Sequence, residues 1–411
     1  MRTFSVSTLG CRANQADSEK VSQVMRAAGW RELPAGNKVD CAFVNTCTIT
    51  AEADHKDLKL LKRRSREAHL VIAGGCSIRE RGGINVSLAA GLKLPDNVRL
   101  WPSGNMEELG ALLGEAGFEL GELQPLDESQ HRTRALIRVQ DGCDHFCSYC
   151  IVPYVRGRQR SFPVEELVRQ VKRLETAGFK EIVLTGIHIA KWGRELNPQR
   201  DLAYLLRCFL ENTERVRFRL SSVEPIAFPK ELIALMGEYP QRVCPHLHLP
   251  LQHASDKILK RMRRDYTLAE YDALVQDFLQ VPGAVLTTDI LLGFPGEDES
   301  DLEILHDYLE RTPYYHLHVF PYSRRPGTAA DTYKDQVPES LKKERVERVI
   351  AWGEEYKERV LAKFRGTQRP VLVERVVPGT GLVTGTADNY IAVDLPGDES
   401  LLGQIVVATV G

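Results

Sequence analysis

Residues 141–157 read DGCDHFCSYCIVPYVRG, and Cys143, Cys147 and Cys150 fall within eight positions of one another. The run leading into them, ALIRVQDGC, reads as a strand. Three thiols spaced CxxxCxxC in one short segment fit a wide loop wrapped around one face of a metal cluster. Structural zinc sites instead use paired short spacings that add up to four ligands, and no fourth cysteine or histidine stands in register here. His145 lies inside the loop and reads as a solvated side chain. A cluster with three protein ligands keeps one iron open to something else.

Outward from this stretch the chain alternates strand and helix. ALIRVQDGC, EIVLTGIHI, VRFRLSSVEP, HLHLPLQHAS, AVLTTDILLGFPGE and YYHLHVFPYS read as strands, separated by amphipathic helices such as VEELVRQVKRLETAGF. About six βα units predict a partial or complete β/α barrel, whose function belongs at the carboxyl ends of its strands. The triplet follows the first of them. GFPGE (293–297) is glycine-rich but lacks the lysine and hydroxyl of a phosphate loop, and is expected to form a tight turn.

The first third repeats the alternation: RTFSVST, CAFVNTCTI, HLVIAGGCS and VRLWPSGN read as strands, with helical stretches after each. This predicts a doubly wound parallel sheet, which binds ligands beyond its strands' carboxyl ends. Cys11, Cys47 and Cys76 each stand at such an end and are expected to converge. Soft thiolates suit either an iron–sulfur cluster or zinc, and spacing across separate strands does not choose between them. Cys41 opens its strand and reads as core.

Composition sets the bounds. The chain has 411 residues, 43% of them hydrophobic and 27% charged, with a formal net charge of -2, so it reads as globular with no whole-chain field favouring nucleic acid. Nine cysteines without a secretory signal fit a reducing compartment and metal chemistry better than a disulfide framework. No apolar run reaches the length of a membrane span, and the expected location is cytoplasmic, with neither membrane nor DNA as partner.

After the helix-like RVIAWGEEYKERVLAKFRG, the segments RPVLVERV, GLVTGTADNYIAVDL and GQIVVATV alternate as short strands and predict a small all-β barrel over 366–411. Its charges are Arg369 and Arg375 against Glu374, Asp388, Asp394, Asp398 and Glu399, an acidic balance that does not suit phosphates. Basic residues gather instead around the triplet, at Arg132, Arg134, Arg138, Arg156, Arg158 and Arg160, and are expected to form an electropositive mouth. KDLKLLKRRSR (56–66) and KRMRR (260–264) are further basic runs.

With Tyr149 as its aromatic, the CxxxCxφC stretch resembles the signature of the radical S-adenosylmethionine superfamily, in which the three cysteines hold a [4Fe–4S] cluster. The segments TLGCRANQADSE, VNTCTITAEAD, GGC, DGCDHFCSYCIVPYVRGRQRS, LTGIH, HLHLPLQHASDKILKRMRRDYT, TDILLGFPGE and HVFPYSRRPGT occur in the order found in its methylthiotransferases. The chain most resembles the branch acting on tRNA N6-threonylcarbamoyladenosine. Relatives acting on isopentenyladenosine or on a ribosomal-protein aspartate are less similar in TLGCRANQ, VNTCTIT and VPYVRGRQRS. The resemblance implies three parts: 1–128, holding an auxiliary [4Fe–4S] cluster on Cys11, Cys47 and Cys76; 129–365, a radical S-adenosylmethionine barrel with a cluster on Cys143, Cys147 and Cys150; and 366–411, a TRAM-like RNA-binding module. It implies two uses of S-adenosylmethionine, one to methylate sulfur on the auxiliary cluster and one to supply the radical that opens C2 of the adenine. It also implies an anticodon stem-loop as substrate and an electron donor such as flavodoxin or ferredoxin. By the same analogy Tyr149 packs by the cofactor's adenine, Gly186 lies by its amino acid group, Ser222 or Glu224 by its ribose, and the GFPGE turn beside its adenine. The base must leave its stack to be reached, and Tyr154 and Tyr322 are the aromatic candidates to hold it. His253-Ala254 and Ser77-Ile78-Arg79 depart from what relatives often carry.

Overall fold

A computed structural model describes residues 1–78, 94–102, 106–118 and 133–411, so Arg79 and Arg132 lie outside the described residues. The chain divides into two compact units that do not follow chain order: 1–128 with 141–159 and 323–332 in one, and 129–140, 160–322 and 333–411 in the other.

The first unit carries a five-stranded parallel sheet in the spatial order Arg31–Glu32, Thr3–Thr8, Val39–Thr46, Ala68–Gly75, Val98–Leu100. Alternate residues of the strands face opposite layers. Phe4, Cys41, Phe43, Leu70 and Ile72 pack with Met25 of helix Arg12–Ala27 and with Leu109 and Leu113 of helix Met106–Glu115. Ala42, Val44, Val71 and Ala73 pack with Leu61 of helix Ala51–Arg64. That helix starts where Thr50 Oγ1 accepts the Ala53 N–H at 3.2 Å, with Glu52 and Asp54 in its first turn. Cys41 is fully buried between helices, as its place in the strand predicts.

In the second unit all six expected barrel strands form: Ala135–Arg138, Glu181–Thr185, Arg217–Leu220, His246–His248, Val285–Leu292 and Tyr314–Pro321. They pair in parallel as two threes, and single bridges Phe218↔Val243 and Ser222↔His248 join these, so the strands follow one another in chain order. The result is a partial β/α barrel. Helix Val164–Thr176 shows why the sequence specifies it: Leu167, Val171 and Leu174 are buried at helical spacing while its acidic and basic residues face out.

The last residues form an antiparallel sheet, Ala392–Pro396, Leu382–Ala387, Gln368–Val377, Ile405–Thr409, curled as a half-barrel and not closed. It packs Val371, Ala387, Ile391 and Val410 against Val285, Tyr315 and Val360. A polar knot fastens it further. Glu181, wholly buried, accepts from Nε of Arg219 at 2.8 Å and of Arg217 at 2.6 Å, and forms an ion pair with Arg134 at 3.0 Å. The same arginines reach the terminal sheet, Arg219 donating to the carbonyls of Asp388 and Ala387, Arg217 to that of Pro370, and Arg134 pairing with Glu374. Glu181, Arg217 and His246, whose ring stacks on Tyr390 at 4.2 Å, each begin a strand, so the half-barrel sits at the amino ends of the barrel strands.

Candidate active site

Cys11, Cys47 and Cys76 follow the ends of Thr3–Thr8, Val39–Thr46 and Ala68–Gly75, three strands adjacent in the sheet. The strand order reverses between the first two, which is the crevice where sheets of this kind take ligands. Cys11 is exposed, whereas Cys47 and Cys76 are buried. Burial, with Cys76 and Cys11 close by, pushes the Cys47 thiol up to about 12.

The backbone around these sulfurs is fixed by polar side chains that composition did not reveal. The Cys47 N–H donates to both carboxylate oxygens of Asp57, at 3.2 and 3.0 Å, and Ser77 Oγ donates to the same group at 2.5 Å. Burial pushes the Asp57 carboxyl up to about 7. Asn14, fully buried in the first turn of its helix, donates to the carbonyls of Leu9 and Thr46 at 2.8 Å each. Thr48 receives Arg325 Nη2 at 2.6 Å, and Arg325 also pairs with Asp54 at 2.6 Å. The sequence signal for Asp57 and Asn14 was a polar residue on a helix's inward face.

Gly10 lies directly against Cys47. Its φ is +94°, and a Cβ there would meet Cys47 Cβ and Sγ at 2.9 Å, closer than real side chains approach. A side chain would thus collide with this cysteine. Among the described residues no three Cys, His, Asp or Glu side chains close tightly on a single ion, so the fit of a cluster rests on the soft donors at adjacent strand ends. Gly10→Ala is expected to cost about 1–2 kcal/mol from the left-handed backbone, with the collision on Cys47 adding to it. Thermal unfolding of the variant beside the parent checks it.

The triplet lies in an irregular loop of the same unit, its three thiols half-buried. Backbone bonds shape it: Cys143 N–H to Gly157 O at 3.0 Å, Cys150 N–H to Cys147 O at 3.0 Å, and Ala330 N–H to Ser148 O at 2.7 Å. The His145 N–H donates to Cys143 Sγ at 3.3 Å, so this residue contributes its amide to the sulfur. Tyr149 is half-buried in the same loop. Ile151 and Val155, with Tyr154 beside them, pack directly on Cys76, so both cysteine sets belong to one packed body.

The remaining cofactor candidates lie at carboxyl ends of barrel strands. Gly186 follows Glu181–Thr185, and a Cβ there would meet Ile189 Cγ2 at 2.7 Å and Gln140 O at 2.8 Å, so packing alone demands glycine. Ser222 is exposed and bridges to His248. Glu224 is not a carboxylate turned to water but is paired with buried Arg264. The GFPGE turn closes on itself: Glu297 accepts the Gly293 N–H at 2.9 Å and Arg345 Nη1 at 2.7 Å. His253, the unusual residue after Gln252, is fully buried with Nε2 3.6 Å from Glu297, and its Nδ1 accepts the Ser255 N–H at 2.9 Å. Burial pushes this imidazole down to about 4, so it packs as a neutral ring.

Several expectations about the basic mouth and the base-holding aromatics are corrected. Arg156 is buried and bonded inward, and Arg134 belongs to the knot on Glu181, because each found carboxylates closer than solvent. Arg138 and Arg160 each lie over the Phe162 ring, and among the described residues Arg158 and Arg160 are the exposed members. Within KRMRR, Arg261 pairs with Asp335 and Arg264 with Glu224. On helix Ala51–Arg64 and just beyond it, Lys59, Lys62, Arg63 and Arg66 are exposed, while Arg64 turns inward to Ser7 and Glu67. Tyr322 is buried against Phe294 and Lys342 and is a core residue. Tyr154 is half-buried, edge-on to Phe146 at 5.5 Å. Of the cysteines outside the two sets, Cys244 is buried by Glu181 and Cys208 is half-buried on a barrel helix.

Comparison with known proteins places this geometry. The radical SAM superfamily model matches residues 137–309, and the model of an uncharacterized protein family, UPF0004, matches 3–88. The threonylcarbamoyladenosine tRNA methylthiotransferase MtaB of Bacillus subtilis is 32% identical over 99% of this chain and 93% of its own length. The chain belongs to the radical S-adenosylmethionine methylthiotransferases. A tRNA-2-methylthio-N(6)-dimethylallyladenosine synthase of Geobacter metallireducens is 34% identical, covering 98% of this chain and 94% of its own. Among solved structures, the cobalamin-dependent radical enzyme OxsB shares the fold at TM-score 0.52 and 12% identity, covering 85% of this chain and 56% of that one. TsrM from Kitasatospora setae does so at 0.51 and 14%, covering 98% and 83%. As a radical S-adenosylmethionine methylthiotransferase the protein is an enzyme whose family cofactors are a [4Fe–4S] cluster and S-adenosylmethionine. Among the described residues no helix is long and apolar enough to cross a membrane.

Proposed function

We propose that this methylthiotransferase converts N6-threonylcarbamoyladenosine next to the anticodon of tRNA to its 2-methylthio form. The observation that carries the reading is the near full-length match to the Bacillus subtilis enzyme of that name. The packing of six cysteines in two sets within one unit supports the chemistry.

In this reading Cys143, Cys147 and Cys150 hold the radical-generating cluster, and Cys11, Cys47 and Cys76 hold a second, auxiliary one. When bound, the clusters supply the electron for cleaving S-adenosylmethionine and the site from which sulfur is transferred. The chain's own residues do the rest. The His145 amide steadies Cys143, Asp57 and Ser77 fix the backbone at Cys47, and Gly10 lets its own strand-end turn approach Cys47 closely. Tyr149, Gly186, Ser222 and Glu224 are assigned to the S-adenosylmethionine contacts. The division into 1–128, 129–365 and 366–411 describes the parts by role: sulfur carrier, barrel and RNA-binding module. A reduced flavodoxin or ferredoxin in the cytoplasm is the assigned electron source.

A second reading, in which the substrate is the dimethylallyl nucleoside, is supported by the 34% identity of the Geobacter metallireducens synthase. Mass spectrometry of tRNA nucleosides from cells with and without the gene separates the two. Threonylcarbamoyladenosine should accumulate at the expense of its 2-methylthio form when the gene is lost. A change confined to the dimethylallyl nucleoside gives the substrate to the second reading, and unchanged nucleosides refute tRNA as substrate.

A further inference from the structure

Arg156 is 3% exposed, and its guanidinium points its donors in three directions. Nη1 donates to Asp141 Oδ1 at 3.0 Å. Nη2 donates to Asn14 Oδ1 and faces Asp17 Oδ2 at 3.4 Å. With the fork held on both sides, Nε–H is aimed at Cys76 Sγ, 3.3 Å away. Arg156 ends the short helix Val152–Arg156, whose Val155, together with Ile151 just before the helix, packs on Cys76. A charge-assisted hydrogen bond in such a dry setting is worth more than one in solvent.

We propose that Arg156 is a positioning residue for the auxiliary cluster: its Nε–H bonds the Cys76 sulfur, aims that ligand, and raises the cluster's reduction potential. This rests on the reading of Cys11, Cys47 and Cys76 as cluster ligands. Reduction adds negative charge to the cluster and its sulfurs, so a fixed cation donating to one of them favours the reduced state, and hydrogen bonds to sulfur are among the levers that set such potentials. Asp141 and Asp17 orient the guanidinium. The radical triplet lies between Asp141 and Arg156 in the chain, so the residues that flank one cysteine set tune the other.

The test uses the full chain with Cys143→Ala, Cys147→Ala and Cys150→Ala combined, reconstituted anaerobically with iron and sulfide so that only the auxiliary cluster assembles. Against this parent, Arg156→Gln should shift the midpoint potential to more negative values. Arg156→Lys, which keeps the charge but not the planar fork, should give a smaller shift in the same direction. Folded variants that titrate with the parent overturn the proposal, because an arginine serving only as a structural ion pair would leave the potential in place. Should the glutamine variant fail to fold, the lysine variant and the parent decide. In parent grown on 15N-arginine, double-resonance spectroscopy of the reduced cluster should show a nitrogen coupling, and its absence also overturns the proposal. If no cluster assembles in the parent, the assignment of the three auxiliary cysteines falls, and the role of Arg156 with it.

Discussion

Cys147→Ala is expected to abolish formation of 5′-deoxyadenosine from S-adenosylmethionine, leaving no more than the uncatalysed background. Cys147 is one of three thiols in a loop with no ligand to spare, and loss of one thiolate from a three-ligand site leaves a cluster that neither holds its geometry nor presents a single open iron. The loop is irregular and the side chain half-buried, so little packing is lost and thermal unfolding should match the parent. The auxiliary set is untouched, so iron and sulfide should fall without vanishing. Cys208→Ala, on a barrel helix outside both sets, is the control that keeps cleavage. Cys41→Ala, in the core between two helices, should instead cost about 1–2 kcal/mol of stability and retain the reaction. Cleavage surviving in Cys147→Ala refutes the triplet assignment, whatever the tRNA nucleosides show.

Glu181→Gln should be the most destabilising single change outside the clusters, by about 3–5 kcal/mol. Burial pushes the Glu181 carboxyl up, but Arg219, Arg217 and Arg134 together outweigh it and hold it well below the usual carboxylate range. Glutamine keeps the shape and removes the charge that three buried or half-buried guanidiniums share. Because these arginines also bond the carbonyls of Pro370, Ala387 and Asp388, the damage should show first as release of the terminal half-barrel. Limited proteolysis is expected to cut near Gly366 in the variant under conditions where the parent is intact. The pH dependence has a fixed sign. A carboxyl with a lowered folded-state pKa contributes stability that is complete above its unfolded value near 4.5 and is lost as pH falls below it. The parent should therefore lose stability through that acid range, and the variant should lack this part of the loss. Equal unfolding midpoints for the two proteins would show that the knot holds nothing.

Much of this architecture was legible because it is written in local periodicity. Leu167, Val171 and Leu174 recur at helical spacing, the strands are β-branched runs, and cysteines at strand ends converge once the sheet is parallel. Charge was read poorly, since a run of arginines says nothing about where each guanidinium points. Arg156 and Arg158 are two residues apart, yet one is buried on carboxylates and a sulfur while the other faces solvent. Arg134 and Glu374 are distant in sequence and meet only in the fold. An aromatic residue in the sequence does not say whether its ring serves a base or the core, and Tyr322 is an example. The chain turns it inward, where Phe294 and Lys342 cover it. The terminal segments alternate as short strands divided by Gly and Pro, and they form the curled antiparallel sheet of the half-barrel.

The unit bearing both cysteine sets is assembled from three stretches of chain, the last of them 323–332. Arg325 holds Thr48, next to Cys47, and Ala330 holds the triplet loop at Ser148. During synthesis the first strands and their cysteines leave the ribosome while these two contacts are still untranslated. The cysteine-bearing body therefore cannot be completed in the order it is made, and its thiols emerge before their final neighbours exist. A gene fragment ending at residue 128 would encode the cysteine-bearing sheet without the arginine that braces it.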